Sequence, residues 1–76
     1  MENLLEILED INSDVDYSKE DKLIDNGILD SLDILSLVSD IEDEFEVSIK
    51  PVDLIPANFN SAEAIFNLIQ RLQKED

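Results

Sequence analysis

Ser31-Leu32-Asp33-Ile34-Leu35-Ser36-Leu37-Val38-Ser39-Asp40-Ile41-Glu42-Asp43-Glu44-Phe45-Glu46 is the stretch on which the fold turns. Within it Ile34, Leu37, Val38, Ile41 and Phe45 fall at i, i+3, i+4, i+7 and i+11, the spacing of one face of an α-helix. Asp30 or Ser31 supplies an oxygen for the N-cap. Asp33 lies in the first turn, where its charge complements the positive end of the macrodipole. The stretch therefore predicts an amphipathic helix over 31–46.

On its N-terminal side, Leu4, Leu5, Leu8 and Ile11 recur at helical spacing with Ile7 widening the stripe, which predicts a first helix. Residues Asn12 to Asp30 hold polar turn formers and the only glycine, Gly27, and read as a long loop. Loops of that length are uncommon unless their own side chains tie them down. Val15, Leu23, Ile24, Ile28 and Leu29 are the expected ties. On the C-terminal side, Val47-Ser48-Ile49 is too short to build a sheet. Pro51 suits a first helical position, so a brief third helix is expected near Pro51 to Leu54, interrupted by Pro56. Asn60 or Ser61 then caps a last helix whose buried stripe is Ile65, Leu68, Ile69 and Leu72, with Arg71 and Lys74 near its C-terminal end. Three substantial helices and one short one, with no strand ladder, must bury their stripes against one another. The expected fold is all-α, a small four-helix bundle, with residues 1–76 as one domain.

The 76 residues include no cysteine and no histidine, which removes disulfides, thiolate and imidazole metal sites, and the commonest nucleophile and general base. A folded domain this small hides only about 60% of the surface its unfolded chain exposes, which leaves little room for a buried catalytic cavity. Twenty acidic residues against five basic ones give a formal charge of −15, which repels nucleic acid and anionic membranes and favours basic protein partners. The 43% hydrophobic content, arranged periodically, argues for folding in spite of that charge. No basic n-region with a long apolar run opens the chain. No segment approaches the roughly 20 apolar residues that span a bilayer, so a cytoplasmic monomer without membrane insertion is expected.

Asp25-Asn26-Gly27-Ile28-Leu29-Asp30-Ser31-Leu32-Asp33 places Asp-Ser-Leu at the opening of an acidic amphipathic helix. In this the chain resembles the acyl and peptidyl carrier proteins, and the likeness runs on through Ile41 to Phe45 and Asn58-Phe59-Asn60-Ser61. The first helix matches only in character. The resemblance implies a bundle of the acyl carrier protein type and a non-catalytic role. It also implies that Ser31 takes 4′-phosphopantetheine from coenzyme A through a phosphopantetheinyl transferase and holds its cargo as a thioester. The physical logic agrees, because a phosphodiester on a serine at a helix N-terminus lies beside unpaired backbone N–H groups. That interaction amounts to about 0.3–1 kcal/mol, enough to orient the phosphate but not to select the residue for modification. For an isolated Asp-Ser pair, the plain alternative is an ordinary N-cap.

From Leu23 to Ile49 there are eight Asp or Glu residues and no Lys or Arg. Asp33, Ser36, Asp40, Asp43 and Glu44 share the outer face of the second helix. Like charges such as Asp40 and Glu44 oppose the helix by roughly 0.2–0.5 kcal/mol per pair, so the face is not optimised for stability. A charged helix face is ordinarily just solvated surface. The family resemblance instead implies docking on basic patches of a loading enzyme and downstream transferases, through Asp30, Leu32, Asp33, Asp40, Glu42, Asp43 and Glu44, with Glu42 somewhat off the face. A third group, Ile49, Leu54, Ile55 and Phe59 with Leu35 and Val38, offers a slot for an acyl chain. Ordinary core packing is the favoured explanation of those residues, which must fill the bundle in any case, and Ser39 stands where many fatty-acid carriers have a larger apolar residue.

The cargo stays open among fatty acid, polyketide, amino acid and D-alanine. Glycine four residues before the serine looks like the D-alanyl carriers of teichoic acid synthesis, whereas Asp33-Ile34-Leu35 looks like general acyl carriers. Two readings of other classes compete. An acidic adaptor without a prosthetic group is compatible with the charge. A weak calcium loop over Asp14, Asp16 and Ser18 fails at its sixth, eighth and twelfth positions, Lys19, Asp21 and Asp25.

Overall fold

The computed structural model describes residues 2–74 and is all-helical, with no strand among them. Helix α1 spans Glu2–Ile11, α2 Ser31–Phe45, α3 Pro56–Phe59 and α4 Ala62–Lys74, and a 3₁₀ turn covers Pro51–Asp53. The expected bundle of three longer helices and one short one is what forms. Helix α1 packs against α2, α3 against α4, and α4 touches both α1 and α2. One core collects Leu4 and Leu8 of α1, Leu37 and Ile41 of α2, Phe59 of α3, and Ile65, Leu68, Ile69 and Leu72 of α4. Those of α1, α2 and α4 are the stripes that helical spacing placed on one side of each element. No polar or charged residue is buried among the described residues, so their charges stay at the surface.

The α1–α2 connection is long and irregular, yet it is fastened at several points. Leu23 and Leu29 are buried, and Val15, Ile24 and Ile28 pack against the core, so all five expected ties are engaged. A sixth anchor is Tyr17, 7% exposed, whose hydroxyl donates to the carbonyls of Leu8 at 2.9 Å and Asn12 at 2.8 Å. The one O–H is shared between the two carbonyls at the C-terminal end of α1, of which that of Leu8 also accepts from the Asn12 N–H at 2.9 Å. Gly27 has φ 68, a left-handed conformation that costs a β-carbon-bearing residue free energy.

Two local expectations are corrected, and one left open between two residues is settled. The segment near Pro51 makes a 3₁₀ turn, and Pro56 opens a separate helix: the proline that ends one element has a fixed φ that suits position N1 of the next. Helix α2 ends at Phe45, because Glu46 turns left-handed at φ 55. The cap of α4 is Ser61, whose Oγ accepts from the Ala64 N–H at 3.0 Å. Asn60 reaches back to the long loop instead. Its Oδ1 accepts from the N–H groups of Ile24 at 3.0 Å and Asp25 at 3.1 Å, and its Nδ2 donates to Asp25 Oδ2 at 3.2 Å.

Candidate attachment site and docking face

The start of α2 is built by two carboxylates. Asp30 is extended at φ −96 and ψ −175, and its Oδ1 accepts from the Asp33 N–H at 2.9 Å, while Asp33 Oδ2 accepts from the Asp30 N–H at 3.3 Å. This reciprocal capping box settles which of the two candidate residues caps the helix. With Asp30 in that role, Ser31 occupies the first helical position, is exposed, and its hydroxyl stays out of the cap.

The box also decides which donors are left for a ligand. An α-helix leaves its first N–H groups without intrahelical partners. The box takes those of Asp30 and Asp33, so the N–H groups of Ser31 and Leu32 remain for an anion. Two carboxylates beside them weaken the field that would hold a free anion. These residues therefore fit a phosphate joined covalently to Ser31 better than one bound reversibly.

The apolar surroundings reach solvent. Leu32 is 73% exposed and Leu35 is 64% exposed. A cleft of about 490 Å³ lies alongside, lined by Ile24, Leu29, Asp30, Ser31, Ile34 and Leu35. A second cleft, of about 170 Å³, is lined by Ile24, Ile34, Leu54, Ile55, Pro56 and Phe59. Of the expected slot residues, Leu54, Ile55 and Phe59 come together in the second cleft and Leu35 lines the first. Val38 and Ile49 line neither and pack against the core. Ile24, Ile34 and Pro56, which the sequence placed as a loop tie, a stripe residue and a helix stop, also line the clefts, a role the sequence did not show. Ile34 carried a usable signal, being one helical turn beyond Ser31.

Along the rest of α2, Asp40, Asp43 and Glu44 are exposed. Asp30 and Asp33 belong to the cap. Glu42 is half-buried, and its Oε2 accepts from the Ile49 N–H at 2.9 Å, which fastens the chain beyond α2 rather than presenting a free charge. An exposed Val52, 77% accessible on the 3₁₀ turn, adds apolar surface near Leu54 and Ile55 and belonged to no periodic stripe. Among the described residues Tyr17 is the one group whose pKa clearly moves: desolvation raises it, and the charges of Asp33 and Glu9 add to the rise. No group of three or more His, Cys, Asp or Glu among the described residues is gathered to hold a metal, and the calcium loop finds no such cluster. No described helix is long and apolar enough to cross a membrane.

Comparison with known proteins agrees with this geometry. The sequence profile described as the phosphopantetheine attachment site matches residues 2–74. The D-alanyl carrier protein of Lactococcus lactis subsp. lactis (strain IL1403) is 30% identical over 78 residues, covering 99% of this chain and 98% of that protein. No solved structure matches at a significant level. On the family match and the full-length relative together, the chain belongs to the phosphopantetheine attachment site family and is a carrier whose cofactor is covalently attached 4′-phosphopantetheine.

Proposed function

We propose that Ser31 is the attachment residue, and that the chain shuttles an acyl or aminoacyl group between partner enzymes in the cytoplasm. One observation carries this. Asp30 performs the capping that a serine at a helix start ordinarily performs, which leaves the Ser31 hydroxyl exposed at position N1. A phosphopantetheinyl transferase can reach that oxygen without unfolding the cap, and the Ser31 and Leu32 N–H groups then orient the phosphodiester. When attached, the arm supplies the thiol that a chain without cysteine lacks, so the cargo is held as a thioester.

Asp40, Asp43 and Glu44, flanked by the exposed Leu32 and Leu35, form the face that meets partners. Charge steers a basic enzyme patch toward the arm, and the exposed leucines supply short-range contact. The attraction falls with salt because the Debye length is about 8 Å at physiological ionic strength. Release is correspondingly easy, as a shuttle needs.

Full-length similarity to a D-alanyl carrier protein favours D-alanine as cargo, delivered to cell-wall teichoic acid. Incubation of the apo protein with coenzyme A, magnesium and a promiscuous transferase tests the carrier reading by intact mass. The wild type gains one phosphopantetheine and Ser31→Ala gains none; an unmodified, folded wild type would leave the acidic adaptor. Mass spectrometry of the thioester isolated from the native cells then separates D-alanine from a fatty acyl chain.

A further inference from the structure

The cleft at Ser31 and the cleft beside α3 have two lining residues in common, Ile24 and Ile34. Side chains that border both spaces stand between them. Ile34 is fixed by α2, one turn past the attachment serine. Ile24 lies in the long loop, where a backbone without helical bonds has to be held by something else. That something is Asn60, which accepts from the Ile24 and Asp25 N–H groups and donates to the Asp25 carboxylate, while its own carbonyl accepts from the Leu23 N–H at 2.8 Å. Four bonds thus pin three consecutive loop residues to the α3–α4 junction, 35 to 37 positions away in sequence.

We propose that Ile24 and Ile34 form a partition that keeps the cargo outside the bundle, and that Asn60 is the positioning residue that holds it shut. The inference rests on the carrier reading of Ser31 and narrows the cargo to groups that need no shelter, short or polar acyl and aminoacyl chains. Volume supports it. The α3 cleft, at about 170 Å³, falls below the roughly 300–1,000 Å³ of ordinary small-molecule sites. The Ser31 cleft, at about 490 Å³, is within that range but is bordered at the surface by the exposed Ser31 and Leu35, so a chain that passes from it toward α3 meets the two isoleucines.

The test loads the full chain with acetyl- or decanoyl-phosphopantetheine from the corresponding coenzyme A thioester and a promiscuous transferase. Release of each acyl group by hydroxylamine is then timed. Burying two methylenes favours a sheltered state about tenfold, so chain length is a sensitive reporter of entry. In the wild type the two groups leave at nearly equal rates. In Ile24→Ala with Ile34→Ala, decanoyl leaves about tenfold more slowly than acetyl. Asn60→Ala shifts the ratio the same way, and exchanging the two side chains, Asp25→Asn with Asn60→Asp, restores the wild-type ratio. Unfolding exposes every cargo alike and cannot imitate a rise in this ratio.

A wild type that already shelters decanoyl tenfold overturns the partition, as does a folded double variant that shelters nothing. An unchanged ratio in Asn60→Ala overturns the role of Asn60. Should the double variant not fold, the wild type and Asn60→Ala still decide. Loading is read separately by mass: a chain that accepts no arm brings down the carrier reading and the partition with it, whereas a loaded chain with a sheltered cargo brings down the partition alone.

Discussion

Two helices in this molecule begin beside a serine, and the two serines are used in opposite ways. At α4 the serine is the cap: Ser61 Oγ accepts from the Ala64 N–H and is spent on the fold. At α2 the cap is Asp30, locked to Asp33 by a reciprocal pair of bonds, and the serine sits one position later, exposed. The difference of one residue separates a structural hydroxyl from an available one. It also shows why an Asp-Ser pair has more meaning than either residue alone, since the aspartate takes the work that would otherwise occupy the serine.

The largest expected effect sets the two serines directly against each other. Ser31→Ala abolishes phosphopantetheine incorporation, while Ser61→Ala leaves incorporation intact and lowers stability by about 1 kcal/mol, read from urea denaturation. Loss of incorporation in Ser61→Ala at a temperature where it stays folded would erase the contrast. Next in size, Asp30→Ala removes one side of the capping box and destabilises the chain by about 0.5–2 kcal/mol. Replacing it by serine, Asp30→Ser, retains a cap and recovers most of that loss.

A smaller effect reaches Tyr17, which feels the Asp33 carboxylate of the α2 cap. Its phenol titrates above the usual value near 10 in the folded state, because burial and the charges of Asp33 and Glu9 disfavour the phenolate. A raised folded pKa means the neutral phenol contributes stability in full below the unfolded pKa. That contribution is lost as pH rises through the folded one. Absorbance titration of Asp33→Asn should show the Tyr17 pKa move back toward its ordinary value.

Much of this was legible in the sequence, and what was missed has a common cause. The three stripes of α1, α2 and α4 repeat at helical spacing within each segment, so periodicity alone located them. Asp25 to Asp33 carried the resemblance that pointed to Ser31. Tyr17 was missed as an anchor because a single aromatic residue in a polar loop has no period, and its partners at Leu8 and Asn12 are set by how the loop folds back. Asn60 looked like a cap because asparagine favours that position. Its true partners are at Ile24 and Asp25, a pairing no local pattern encodes. Pro56 was read as a stop, yet a proline ends one element and begins another with the same fixed φ. Glu42 showed its off-face position in the spacing, but not its bond to Ile49.

Tyr17 has a use beyond anchoring. The chain has one tyrosine and no tryptophan, so its ultraviolet emission comes almost wholly from a ring bolted to the junction between loop and first helix. Circular dichroism follows the helices as a whole. Where melting curves from the two signals separate, the gap measures how far the loop lets go before the bundle does, with no dye or label introduced.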